Sequence, residues 1–147
     1  MHEEIEQFVQ AFKNRIEGRT LSIPEFCEAM SAAYQQNPLL CDLLSISVTI
    51  LEQNTDLEVI RDIKLSGLEQ SQMIVDAIAA SLKDADDNIA RQIAFVSGVI
   101  VMGLWPMASP QAKLRQIAKL KGLETLAFDF QKELRGMLEA QIKGLIS

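Results

Sequence analysis

The chain has 147 residues, 48% hydrophobic and 23% charged, and its 20 acidic against 14 basic side chains leave a net charge of −6. That is the composition of one globular domain over residues 1–147, and it argues against a nucleic-acid surface, which needs clustered Lys and Arg. Two cysteines, Cys27 and Cys41, are too few for a disulfide framework and lack metal-ligand spacing, and the acidic start MHEEIEQF has no signal-peptide pattern; a cytoplasmic chain with reduced thiols is expected.

Apolar residues recur at helical spacing almost throughout, and no window alternates as a strand would. The first segment places Ile5, Phe8, Val9, Phe12 and Ile16 on one face, with Glu3, Glu4 and Glu6 in its opening turn, and Gly18 stops it. Ser22 and Glu25 form a capping-box pattern ahead of a second helix, whose inner face carries Ile23, Phe26, Cys27, Met30, Ala33 and Tyr34. Asn37 and Pro38 cap a third, where Leu39, Leu40, Leu43, Leu44, Ile46, Ile50 and Leu51 make a broad stripe interrupted by Ser47 and Asn54. A second capping pattern, Thr55 to Glu58, opens a helix of about seven turns. Its inner face is Leu57, Ile60, Ile63, Gly67, Ile74, Ile78 and Leu82, with Ser71 among them. DADDN caps a fifth helix that Pro106 and Pro110 should end. A short basic segment follows, amphipathic, with Leu114, Ile117 and Leu120 facing the other way from Lys113, Arg115, Lys119 and Lys121; the basic side reads as a solvated helix face rather than a phosphate or lipid contact. The last helix, from about Glu124 to Gly144, carries Leu126, Ala127, Phe130, Leu134, Met137, Leu138 and Ile142, and an outer Glu139–Lys143 pair. The expected class is all-α, a six-helix orthogonal or antiparallel bundle.

Catalytic signatures are missing. His2, the one histidine, stands at the terminus, so base–nucleophile pairs and histidine metal sites are not expected. DADDN resembles the start of a calcium loop, but Ile89 stands where glycine is required and Phe95 where the bidentate carboxylate is required. No glycine-rich phosphate loop is present. The reading is a protein without enzymatic activity, cofactor or metal.

The stretch FVSGVIVMGLWPMASP is apolar all round. A membrane span needs about 20 apolar residues, and Ile93–Ala108 counts 16 with Ser97, Gly98 and Gly103 inside. A helix without a polar face must be covered on every side, and a second copy of the chain would supply the cover. The expected homodimer is an antiparallel bundle of the last two long helices from each chain, through Ile89, Ile93, Val96, Ile100, Phe130, Leu134, Met137 and Leu138. Gly98, Gly103 and Gly136 would let backbones approach.

NPLLCDLLSISVTILEQN, a long helix opening TDLEVIRDIK, and GLWPMASP closing a later one resemble the C-terminal effector-binding domain of TetR-type transcriptional regulators. The match in helix order covers nearly the whole chain; word-level similarity is confined to 37–64 and 103–110. The family's N-terminal helix-turn-helix has no counterpart here, so DNA would be met only through a domain outside this chain. The resemblance implies that a small hydrophobic or amphipathic molecule enters a cavity between the middle helices and shifts the dimer between two arrangements. Candidate pocket residues are Tyr34, Ser47, Asn54, Ser71, Phe95, Met102 and Trp105, each a polar or bulky group among apolar neighbours. Ser47 could equally bond back to the carbonyl of Leu43. The alternatives are a standalone helical interaction module and a small protein anchored in a membrane by Ile93–Ala108.

Overall fold

A computed structural model describes residues 2–47, 53–109 and 112–146. Among them are seven α-helices and one 3-10 turn: α1 (His2–Ile16), α2 (Ile23–Gln35), α3 (Pro38–Ile46), α4 (Leu57–Ser81), α5 (Asp87–Ala108), α6 (Lys113–Ile117), the 3-10 turn Glu124–Leu126, and α7 (Phe130–Ile146). No strand occurs among the described residues; one isolated bridge joins Leu21 to Leu82, with the Leu21 amide donating to Ser81 O at 2.7 Å. The all-α class expected from periodicity is the observed one.

Local signals explain most of the boundaries. α1 ends where Glu17 and Gly18 both take left-handed backbone, at φ 53° and 71°. α2 begins with the expected capping box: the Glu25 amide donates to Ser22 Oγ at 3.3 Å, and the Ser22 amide to Glu25 Oε1 at 3.4 Å. Asp86 caps α5, accepting from the Ile89 amide at 2.8 Å. α3 starts at Pro38 after Asn37 as expected, but Asn37 makes no side-chain cap bond to it and instead donates from Nδ2 to Ala33 O at 2.7 Å, closing the helix before it. The cap of α4 is Asp56 rather than Thr55. The continuation of α3 through Ile50 and Leu51 lies outside the described residues, as does Pro110.

Two expectations about the second half are corrected. Pro106 does not end α5: it lies on the exposed side inside the helix, which runs on to Ala108 and closes with the Ser109 amide donating to Trp105 O at 2.8 Å. A proline removes one donor, and the next turn's bonds hold the helix together. The last helix starts at Phe130, not Glu124. Asp129 Oδ1 accepts from the Lys132 amide at 2.8 Å and so sets the start. Leu126 and Ala127, expected in the core, are exposed.

α5 is the hub, packing against α3, α4, α6 and α7, while α2 is held between α1 and α7. The core joins Phe8, Phe12, Phe26 and Met30 to Ile78, Ile93, Leu134 and Leu138, all essentially inaccessible. Phe12 and Phe26 meet edge to face with centroids 5.5 Å apart. α5 is long and apolar enough to cross a membrane, by length and composition alone. One face of it is nevertheless consumed by the core: Ala90, Ile93, Ser97, Val101, Leu104 and Trp105 are buried.

Candidate functional site

α2, α3 and α5 bring Tyr34, Cys41 and Ser97 into the apolar interior, with Asp42 exposed at its edge. Each element contributes a residue for a local reason: Tyr34 closes the inner stripe of α2, Cys41 and Asp42 occupy the first turns of α3 after Pro38, and Ser97 is a hydroxyl in the apolar run of α5. Ser97 Oγ donates to Ala94 O at 2.9 Å, which leaves it to accept from Tyr34 Oη at 3.1 Å. Cys41 Sγ donates to Tyr34 O at 3.4 Å, and the Tyr34 ring lies 4.4 Å from that of Phe8. Nearer the end of α5, Trp105 Nε1 donates to Asp42 Oδ1 at 2.7 Å, and its ring meets Phe130 edge to face at 4.9 Å.

Burial sets the chemistry of these groups. It pushes the Tyr34 hydroxyl up to about 12 against the opposing effect of the Ser97 bond, and the Cys41 thiol up to about 12, with Asp42 adding to the shift. Cys27, inaccessible on α2, is likewise raised to about 12, chiefly by burial. Thiols held protonated in this way are weak nucleophiles and metal ligands. Among the described residues no group of three or more His, Cys, Asp and Glu is placed to hold a metal ion.

The seven residues expected to line a pocket are not brought together. Tyr34 and Trp105 are buried, and Met102 and Ser47 are half-buried. Ser47 Oγ donates back to Leu44 O at 3.0 Å, one residue from the carbonyl expected. Ser71 is exposed on α4 and donates to Gly67 O at 2.8 Å, and Asn54 is exposed in the turn before α4. Phe95 is 72% exposed, on the outer side of α5. Ser97 and Asp42 were missed as partners. Ser97 could have been singled out as the hydroxyl of a helix otherwise apolar at its centre; Asp42 lies on the side of α3 that periodicity assigns to solvent. A groove of about 620 Å³ lies elsewhere, between α1, α2 and α7, where Arg19 and Arg135 pair with Glu25 and Glu28.

Most of the residues expected to meet a second copy are not free at the surface of the chain. Ile93, Phe130, Leu134 and Leu138 are buried within the chain's own core, and Ile89, Val96 and Ile100 are half-buried; Met137 alone of the eight is exposed. Residues that pack inside one protomer have no surface left for another. A Cβ added at Gly98, Gly103 or Gly136 would meet nothing within 4 Å, so none of these glycines serves close packing inside the chain. The uncovered apolar surface is on other faces. The first turns of α4 expose Leu57, Val59, Ile63, Leu65 and Leu68, with Leu57 84% accessible, and neighbouring α5 exposes Phe95 and Val99. α4 and α5 run antiparallel after the turn at 82–86, tied across by Arg91 Nη2 donating to Gln72 Oε1 at 2.8 Å.

A family model described as tetracyclin repressor-like, C-terminal domain, matches residues 2–147. The chain belongs to that family, and its connection with transcription regulation follows from the membership. No curated protein matches it.

Proposed function

We propose that this tetracyclin repressor-like C-terminal domain is the homodimerising, effector-sensing part of a cytoplasmic TetR-type regulator. It acts by linkage rather than catalysis, on a DNA-binding domain outside this chain. The observation that carries the reading is the uncovered apolar surface on two adjacent helices. Phe95 and Val99 are exposed on α5 and Val59 and Ile63 on α4, two helices that pack together; apolar side chains left in solvent in this number call for a partner, and a second copy would offer the same side chains in return. Burying one phenylalanine of this kind is worth about 1.5–3 kcal/mol.

The effector site in this reading is the interior between α2, α3 and α5. A small hydrophobic or amphipathic molecule would part Tyr34 from Ser97 or Trp105 from Asp42, take over those polar groups, and so change how α5 sits on its neighbours. Because α5 carries both the interior node and Phe95, a shift on one side reaches the dimer on the other. That coupling gives ligand occupancy an effect on the separation of the two DNA-reading domains.

Sedimentation equilibrium tests the dimer. The expected result is a dimer for the parent chain and a monomer with unchanged helicity for Phe95→Arg. A parent chain that stays monomeric at all concentrations overturns the reading. For the effector site, a compound that raises the melting temperature of the parent should raise it less in Tyr34→Phe and Ser97→Ala.

A further inference from the structure

The segment between α5 and α7 joins two kinds of unsatisfied surface. From Asn88 to Leu123 the sequence contains no carboxylate, in a chain with 20 of them. Lys113, Arg115, Lys119 and Lys121 all fall in that stretch, and among the described residues none of the four makes an ion pair. Arg115 donates from Nη1 to Ala108 O at a long 3.4 Å, and Glu124, the next carboxylate, is engaged by the Gly122 amide at 2.9 Å. The aliphatic side chains facing the other way are not covered: Ile117 and Leu120 are exposed, as are Met107, Leu123 and Leu126. An ordinary solvated strip would show the cations and hide the aliphatics; this one shows both.

Part of this surface is concave. A slot of about 210 Å³ has apolar walls from Met107, Leu114, Ala118, Leu126 and Phe128, and its two cationic members are Arg115 and Lys119. Its size narrows the occupant. Pockets for drug-sized ligands start near about 300 Å³, and a docked helix is about 10 Å across with its side chains. A single alkyl chain is slender enough for the slot. The guanidinium and ammonium groups on its wall, neither in an ion pair, ask for a compact anion.

We propose that this slot binds a single-chain amphiphile with an anionic head: the alkyl chain lies against Leu114, Leu126 and Phe128, and the head meets Arg115 and Lys119. The slot shares no residue with the group of Tyr34, Ser97, Asp42 and Trp105, so it is a second site, independent of the dimer and of the effector reading above.

The test uses decanoate below its micellar concentration and amide correlation spectra of the whole chain. Saturable shifts are expected at Ala118, Leu126 and Ala127. Decyltrimethylammonium and 1-decanol should bind about ten-fold or more weakly. Arg115→Glu with Lys119→Glu should weaken decanoate by about ten-fold or more while leaving the helical circular dichroism unchanged. Leu126→Asn, at an exposed wall position, gives the same loss without altering charge. Equal binding of the cationic amphiphile, or no saturable shift at all, overturns the proposal. So do shifts centred on Tyr34 and Ser97, which would assign the amphiphile to the interior. Co-sedimentation with phosphatidylglycerol-containing vesicles without monomer binding also overturns it, by making the strip a membrane-docking surface. A monomeric parent chain in sedimentation would refute the dimer and leave these outcomes unaffected.

Discussion

α4 and α7 are both helices with one apolar stripe, yet the fold treats them in opposite ways. The stripe of α7, Phe130, Leu134, Leu138 and Ile142, is buried along its whole length between α2 and α5. The stripe of α4 is buried from Val75 onward, through Ile78 to Ser81, while its first turns carry Leu57, Ile63 and Leu68 into solvent. An apolar stripe therefore states that a helix needs a partner, and not whether the partner belongs to the same chain. Both helices tie a flank to a neighbour by exposed bonds, α7 to α2 through Arg135 to Glu28 at 2.9 Å and α4 to α5 through Arg91 to Gln72 at 2.8 Å.

The sharpest way to break this comparison is to cut both stripes. Leu138→Ala removes a fully buried side chain and should cost about 2–5 kcal/mol, equally at every protein concentration, in chemical denaturation. Ile63→Ala on α4 should cost under about 1 kcal/mol in dilute solution and, on the dimer proposed above, more as concentration rises. Equal, concentration-independent losses would mean the two helices are covered alike.

The junction between the regions gives smaller effects. Trp105→Phe keeps the ring packing on Phe130 but loses the donor to Asp42, at about 1–2 kcal/mol; in a double-mutant cycle with Asp42→Ala the two losses should not add. The buried face also imposes a pH limit. Cys27, Cys41 and Tyr34 are raised to about 12 in the folded chain, above ordinary values of 9.0 for the thiols and 10.0 for the phenol. The unfolded chain therefore loses these protons first. Stability from this source is complete below pH 9 and falls above it, by about 1.4 kcal/mol per pH unit for each ionising group. Thermal melts between pH 8 and 11 check this. Least affected should be Lys143→Ala, which removes an exposed 3.2 Å pair with Glu139, at no more than about 0.5 kcal/mol.

Much of the architecture is legible in the chain. The capping box at Ser22–Glu25, the stop at Gly18, the Asp86 cap and the Glu139–Lys143 pair are local events between residues three or four apart, and periodicity finds them. The candidate site was legible only in part. Tyr34 and Trp105 were recognisable as large groups with a polar handle on apolar faces, but their partners Ser97 and Asp42 are each 63 residues away. Phe95 and Ser71 carry the same sequence signal as Trp105 and Ser97 and end on the outside.

What the sequence by itself determined is the helical class, most helix starts, and the absence of a polar face on the centre of α5, because these follow from the 3.6-residue period and from caps a few residues long. Which side of α5 enters the core was decided by tertiary structure. The helical wheel permits the Phe95–Val99 face as readily as the Ala90–Ser97–Val101 face. The second is buried because Tyr34 and Phe130 converge on it from α2 and α7. The same selection left Phe95, Ile63 and the aliphatics of the 112–126 segment outside. Burial rewards shape matched between distant elements, and no local pattern records it.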